Sequence, residues 1–174
     1  MTNSQLDQLL AEHTSYEEDL VDVNEAVIKL VIFRLGKQYF AFPGAKIIEV
    51  IPGDAKVYYL PGMPSTVEGV MNVRGDIESV IHLHKLLQLS GEAAKTNLAG
   101  STILLGKGEA MHSGLRVEQL LDVIDIPESQ LKPPPEALPE HLQPFVTSLL
   151  SFNGLAVTVL DLDAVFTAWL AGQG

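Results

Sequence analysis

His82 and His84 stand two residues apart in an apolar stretch. That spacing sets two imidazoles on one face of a strand, where they could share a metal ion or a proton. A metal site needs a third donor, and no carboxylate or thiolate stands nearby to complete it, so the pair reads as a surface pair beside a helix start. His13, His112 and His141 are isolated. Gly106-Lys107-Gly108 places a lysine between glycines as phosphate loops do. The glycines lack Walker spacing, however, and no Ser or Thr follows the lysine, so a strand-to-strand turn is expected. Ser101, Ser113, Ser148 and Ser151 lack the Gly-x-Ser-x-Gly setting of a nucleophile elbow. Asp161 and Asp163 flank a helix start, where carboxylates cap backbone N–H groups. These residues assemble no catalytic, metal or cofactor site, and the chain is not expected to be an enzyme.

Arg74 is the more informative charge. It precedes a tight turn at Gly75-Asp76 in an otherwise apolar hairpin, where a strong charge needs solvent or a carboxylate. Glu49, alone among Ile47, Ile48, Val50 and Ile51, is the expected partner. The triplet Arg74-Gly75-Asp76 matches an extracellular adhesion signal, but the N-terminus has no secretion signal, so it reads as a turn.

The elements that must carry these residues are mostly β. Val27 to Phe33, the Gly36-Lys37 turn and Tyr39 to Phe42 form a hairpin. Ile47 to Ile51 form a strand closed by Pro52-Gly53, and Val57 to Leu60 another closed by Pro61-Gly62. Val67 to Val73 and Ile77 to Leu83 form a second hairpin, running into a short helix over Lys85 to Leu89. After the small, polar stretch from Gly91 to Gly100, the order repeats. Ile103 to Leu105, Leu115 to Val117 and Leu120 to Ile126 parallel the first strands, and Pro133-Pro134-Pro135 and Pro139 parallel Pro61 to Pro64. Phe145 to Leu150, the Asn153-Gly154 turn, Leu155 to Leu160 and a helix over Asp163 to Leu170 complete the echo. Two units of about 70 residues are small for independent cores and are expected to pack together, leaving a groove between them.

Composition narrows the partners. Apolar residues make up 47% of the chain, there is no cysteine, and the net charge is −11. Residues 1–26 read as an acidic flexible tail, and residues 27–174 as the folded domain, with subdomains over roughly 27–90 and 100–170. Seven acidic residues and no basic one fall within residues 1–28, leaving about −4 for the remainder. A chain so charged is not expected to bind nucleic acid or anionic lipid. No run of apolar residues approaches membrane-span length, so no membrane insertion is expected.

The string Gly69-Val70-Met71-Asn72-Val73-Arg74-Gly75-Asp76, leading into Val80-Ile81-His82-Leu83, resembles the signature of CheW-like coupling domains. Phe33-Arg34-Leu35-Gly36, Ile48-Glu49-Val50-Ile51, Leu60-Pro61-Gly62-Met63-Pro64, Gly114-Leu115-Arg116-Val117, Asp122-Val123 and Leu160-Asp161-Leu162 extend the likeness from about Val27 to Leu170. The resemblance implies a mainly β fold of two intertwined five-stranded SH3-like barrels, with a short helix after each barrel hairpin. It implies a cytoplasmic, non-catalytic adaptor recruited to membrane-associated receptor arrays. The adaptor would contact a chemoreceptor (methyl-accepting chemotaxis protein) signalling tip and the regulatory domain of a CheA-type histidine kinase.

By the same resemblance, Glu49 and Arg74 are the paired acidic and basic positions at a receptor-facing groove surrounded by Val50, Val70, Met71, Asn72, Val73 and Gly75. Ile48 and Tyr58 would serve barrel-to-barrel docking on the kinase. The chain departs from the family in having Ser79-Val80-Ile81-His82-Leu83 where Pro-Val-Ile-Asp-Leu is usual, and Ser148 where Gly is usual. These departures, with the acidic tail, fit a pilus-motility, phototaxis or other chemosensory pathway as well as a flagellar one. The competing reading is a small-ligand-sensing barrel, which requires a deep apolar cavity of several hundred cubic ångströms.

Overall fold

The computed structural model describes residues 25–89 and 98–172; the expected tail lies outside the described residues up to residue 24. The strands are β1 (Val27–Leu35), β2 (Gln38–Pro43), β3 (Ile47–Pro52), β4 (Val67–Val73), β5 (Asp76–His82), β6 (Thr102–Lys107), β7 (His112–Val117), β8 (Gln119–Pro127), β9 (Val146–Phe152) and β10 (Leu155–Leu160). Helix α1 (Leu83–Leu86) follows β5, and α2 (Leu162–Ala171) follows β10.

The strand expected over Val57 to Leu60 is reduced to one bridge, Tyr58 against Val70. Pro61 and Pro64 supply no N–H to extend it, and Tyr58 to Pro64 is solvent-exposed throughout.

Two five-stranded sheets form, in the orders β8-β1-β2-β10-β9 and β3-β6-β7-β5-β4. The internal repeat is real, β1–β5 with α1 followed by β6–β10 with α2, but neither sheet is one repeat. The first repeat lends β1 and β2 to the sheet that holds β8, β9 and β10. The second lends β6 and β7 to the sheet that holds β3, β4 and β5. The barrels therefore do not coincide with the sequence halves 27–90 and 100–170. The matching seams are parallel: Val159 beside Ala41 in one sheet, Val80 beside Gly114 in the other.

The period-2 alternation of a strand explains why the exchange is stable. Along β1, Leu30 and Ile32 enter a small core private to their barrel, with Ala41, Val157 and Val159. Val31, Phe33 and Leu35 point the other way, into a core shared by both sheets and both helices. In the second barrel, Ile103 and Leu105 of β6 join a private core with Ile51, Met71 and Val80, and Leu104 enters the shared one. Strands apolar on both faces are what this sandwiching requires. Phe33 sits at its centre, fully buried, with ring centroids 5.2 Å from Phe42 and 6.1 Å from Phe40.

Candidate functional site

The β4–β5 turn is built by four of the singled-out residues, Asn72, Val73, Arg74 and Gly75. Val73 pairs with Asp76, leaving the two-residue loop Arg74-Gly75, with φ of 53° and 92°. Both residues are left-handed, as a type I′ hairpin turn demands. Glycine adopts that conformation freely, but arginine does so at a cost. Asn72 fixes the loop, its Oδ1 accepting the Gly75 N–H at 2.8 Å. Arg74 is thereby held out in solvent, 81% exposed, with Nη2 donating to Glu49 Oε1 at 3.2 Å. The ion pair expected from sequence is thus present, and it ties β3 to the β4–β5 turn.

The other singled-out residues divide by strand face. On β3, Ile48 and Val50 point outward, 57% and 42% exposed, while Ile51 enters the private core. On β4, Met71 is buried in that core, so its side chain supports the face from beneath. Val70 and Val73 are half-buried. Tyr58 lies across β4: its N–H donates to the Val70 carbonyl at 2.7 Å, and the Val70 N–H returns to its carbonyl at 2.9 Å. A Cβ on Gly69 would fall 2.1 Å from the Tyr58 carbonyl oxygen, so only glycine lets this crossing form. Lys56 Nζ stands 4.8 Å from the Tyr58 ring centroid.

Sequence reasoning passed over Ile77, opposite Asn72 beside the turn and 67% exposed. Its signal was present: it occupies the outward register of β5 between Asp76 and Glu78. Tyr59 and Leu60, expected in a strand, are also exposed, as is Met63.

The candidate chemical groups take structural places. Gly106-Lys107-Gly108 is a β6-to-turn segment, with the Gly108 N–H donating to Met111 O at 2.9 Å. Its glycines admit α2: an added Cβ on Gly106 would meet Leu162 at 2.9 Å, and one on Gly108 would meet Asp163 at 2.5 Å. Asp161 caps α2, its Oδ1 accepting the Ala164 N–H. Asp163 accepts the Glu109 N–H at 2.8 Å and pairs with Lys46 at 2.8 Å. His112 and Glu78 meet at 2.6 Å, whereas the buried Ser113 hydroxyl contacts Ser79 across the strands and the Ser79 and Gly114 carbonyls. Among the described residues no three His, Cys, Asp or Glu side chains are placed to share a metal.

His82 and His84 face separate carboxylates, Glu68 at 3.9 Å and Glu118 at 4.0 Å. Burial pushes the His82 pKa below the usual histidine value, with Glu68 pulling the other way. Beside them Arg116, 4% exposed, grips Glu68 through Nε and Nη2 at 2.6 and 2.7 Å and also donates to Gly53 O and Ser101 Oγ. An open groove of about 690 Å³ runs between α1, the 64–66 loop, the 140–145 loop and α2, with Phe145 and Trp169 beside Lys85, Glu140 and His141 in its walls.

Residues 29–168 match a family model described as CheW-like domain. Among curated proteins, the chain is 29% identical over 146 residues to the chemotaxis protein CheW of Thermotoga maritima, covering 84% of this chain and 92% of that one. It is 25% identical over 149 residues to the chemotaxis protein CheW of Treponema pallidum, covering 84% and 86%. Among solved structures, the scaffolding protein TtCheW from Thermoanaerobacter tengcongensis aligns with a TM-score of 0.68 at 24% identity, covering 81% of this chain and 93% of that one.

Proposed function

The chain belongs to the CheW-like domain family, and from that membership we propose that it couples a chemoreceptor signalling tip to the regulatory domain of a CheA-type histidine kinase. Its role as a non-catalytic chemotaxis scaffold follows from the family and from relatives that each match most of its length. Among the described residues no helix is long and apolar enough to cross a membrane. By its family membership we place it in the cytoplasm, attached to membrane receptor arrays through protein contacts.

The observation that carries the coupling reading is the Arg74 turn. A strained arginine is held in solvent against Glu49, on a rim where Val50 and Ile77 are also exposed. An apolar, exposed rim with one oriented cation has the composition of a protein-docking face. Arg74→Glu is expected to leave the fold intact and to weaken receptor coupling at least tenfold, read as receptor retained from native lysate on immobilised protein. Undiminished retention by the folded variant defeats the assignment. Combining Arg74→Glu with Glu49→Lys restores part of the loss if the pair acts as a unit. Retention of a CheA-type kinase by both wild type and Arg74→Glu would separate kinase docking, which we assign to Ile48 and Tyr58, from receptor docking.

The small-ligand reading draws on the 690 Å³ groove, which has the required size. Its openness and its Lys85, Glu140 and His141 walls differ from the enclosed apolar cavity such a sensor uses. Saturable heat of binding with a metabolite extract, in protein that retains neither receptor nor kinase, would favour it.

A further inference from the structure

The two repeats end their second hairpins with corresponding segments that run into the helices, Ile81-His82-Leu83-His84 into α1 and Leu160-Asp161-Leu162-Asp163 into α2. The correspondence extends to what each segment touches. Ile47, which opens β3, pairs with Gly106 of β6; Gln119, which opens β8, pairs with Arg34 of β1. The residues just before those strands, Lys46 and Glu118, therefore occupy matching places. Asp163 meets Lys46 with Oδ2 and Nζ at 2.8 Å. His84 meets Glu118 with Nδ1 and Oε1 at 4.0 Å. The same contact is made twice, with acid and base exchanged and with a titratable base in one copy.

We infer that His84 and Glu118 form a proton-operated latch between α1 and the β7–β8 junction, the conditional counterpart of the permanent Lys46–Asp163 tie on α2. A neutral imidazole leaves Nδ1 buried with no hydrogen-bond partner among the described residues. A proton on Nδ1 makes it a donor aimed at a carboxylate that is nearly buried and cannot turn away, because Arg34 Nη1 holds Glu118 Oε2 at 2.9 Å. A closure of about 1 Å converts 4.0 Å into a charge-assisted hydrogen bond.

The surrounding charges are largely spoken for. Arg116 of β7 is committed to Glu68 of β4, and Arg34 of β1 to Glu118. On α1 itself, Lys85 donates to the Ser65 carbonyl and adds the one opposing charge. His82 faces Glu68 rather than Glu118, and burial lowers its pKa. The α2 tie does not respond in this range: its hydrogen bond to Asp163 raises the Lys46 pKa, and the bond to Lys46 lowers that of Asp163. Lys85 and Leu86 of α1 and the following Gln88 wall the large groove. Acidification therefore pins one wall and leaves the α2 wall unchanged.

Amide hydrogen exchange tests the latch in the intact chain. The Leu87 and Leu89 N–H groups donate to the Leu83 and His84 carbonyls, and the Gly172 N–H donates to Ala168 on α2. Corrected for intrinsic rates, protection of Leu87 and Leu89 should rise about three- to five-fold from pH 7.5 to 5.5, with Gly172 unchanged. The rise should vanish in both His84→Gln and Glu118→Gln. A flat wild-type profile, an equal rise at Gly172, or a rise that survives in either variant overturns the latch. Glu118→Gln preserves shape while removing the charge, so it decides the matter even if His84→Gln fails to fold.

Discussion

The two barrels share one plan and differ in where they keep charge. In the β3–β7 barrel, Arg116 and Glu68 form a buried pair beside the seam where β5 runs parallel to β7. Carrying the parallel seam of one barrel onto the other sets Pro43 at the place of Arg116 and Thr147 at the place of Glu68. The hairpin turn of the first is Arg74-Gly75 and that of the second Asn153-Gly154, all four residues left-handed. The helix starts are His82 and Asp161. At each corresponding place the β3–β7 barrel holds the residue that is costlier for folding: a buried ion, a strained cation, an uncapped helix. A barrel that departs from local optima where its twin does not has been shaped by something besides stability.

The largest expected effect tests the buried pair against its neutral twin. Glu68→Ala leaves Arg116 desolvated with only Gly53 O and Ser101 Oγ to accept from it, and should cost about 3 kcal/mol in urea unfolding. Thr147→Ala removes only a side-chain hydrogen bond to Val159 O from an exposed position and should cost under about 0.5 kcal/mol. Equal losses at the two positions would mean the barrels are not specialised in this way.

Most of this plan was legible in the residue order, and the reasons differ by feature. The repeat, the two hairpins ending in helices and the Glu49–Arg74 pair were readable because turns and isolated charges are local signals. The exchange of hairpins between barrels is not legible from pattern alone. Leu30 and Val31 are equally apolar, and nothing in their order says that one enters a private core and the other a shared one. Val57 to Leu60 looked like a strand because its residues favour pleated backbone, but only Tyr58 finds a partner. Met71 sat in the expected docking string, yet alternation from Val67 turns it inward; Ile77, beyond the turn, is turned out by the same rule. Arg116 gave no sign of burial, since its partner Glu68 lies 48 residues away.

The helix starts separate two consequences of the His82-for-Asp exchange. Asp161 caps a ten-residue α2, whereas His82 makes no capping bond to a four-residue α1, which Gln88 ends in left-handed conformation at φ 52°. Asp161→Ala should cost about 1 kcal/mol, and His82→Asn, which installs a cap, should gain about 0.5 kcal/mol at pH 7.5. His82 also titrates. Burial lowers its folded pKa, so the unfolded chain takes up the proton first, and stability from this residue is complete above the ordinary histidine value and lost as pH falls below it. The advantage of His82→Asn over wild type should therefore widen from pH 7.5 to 5.5. A constant difference across that range would show that His82 does not titrate differently on folding.

The smallest effect, and the most diagnostic, comes from exchanging the turn residues. Asn at the left-handed position is tolerated well and Arg poorly, so Asn153→Arg should destabilise by about 0.5 to 1 kcal/mol. Arg74→Asn relieves the same strain but gives up the exposed tie to Glu49, worth under about 0.5 kcal/mol, so its net gain should be only a few tenths. Stability alone would then favour asparagine in both turns. If Arg74→Asn is as stable as wild type or slightly more so and retains less receptor, the arginine is held there for contact. If the variant loses 1 kcal/mol or more while retaining receptor normally, Arg74 is a brace for β3, and the asymmetry of the two turns is structural.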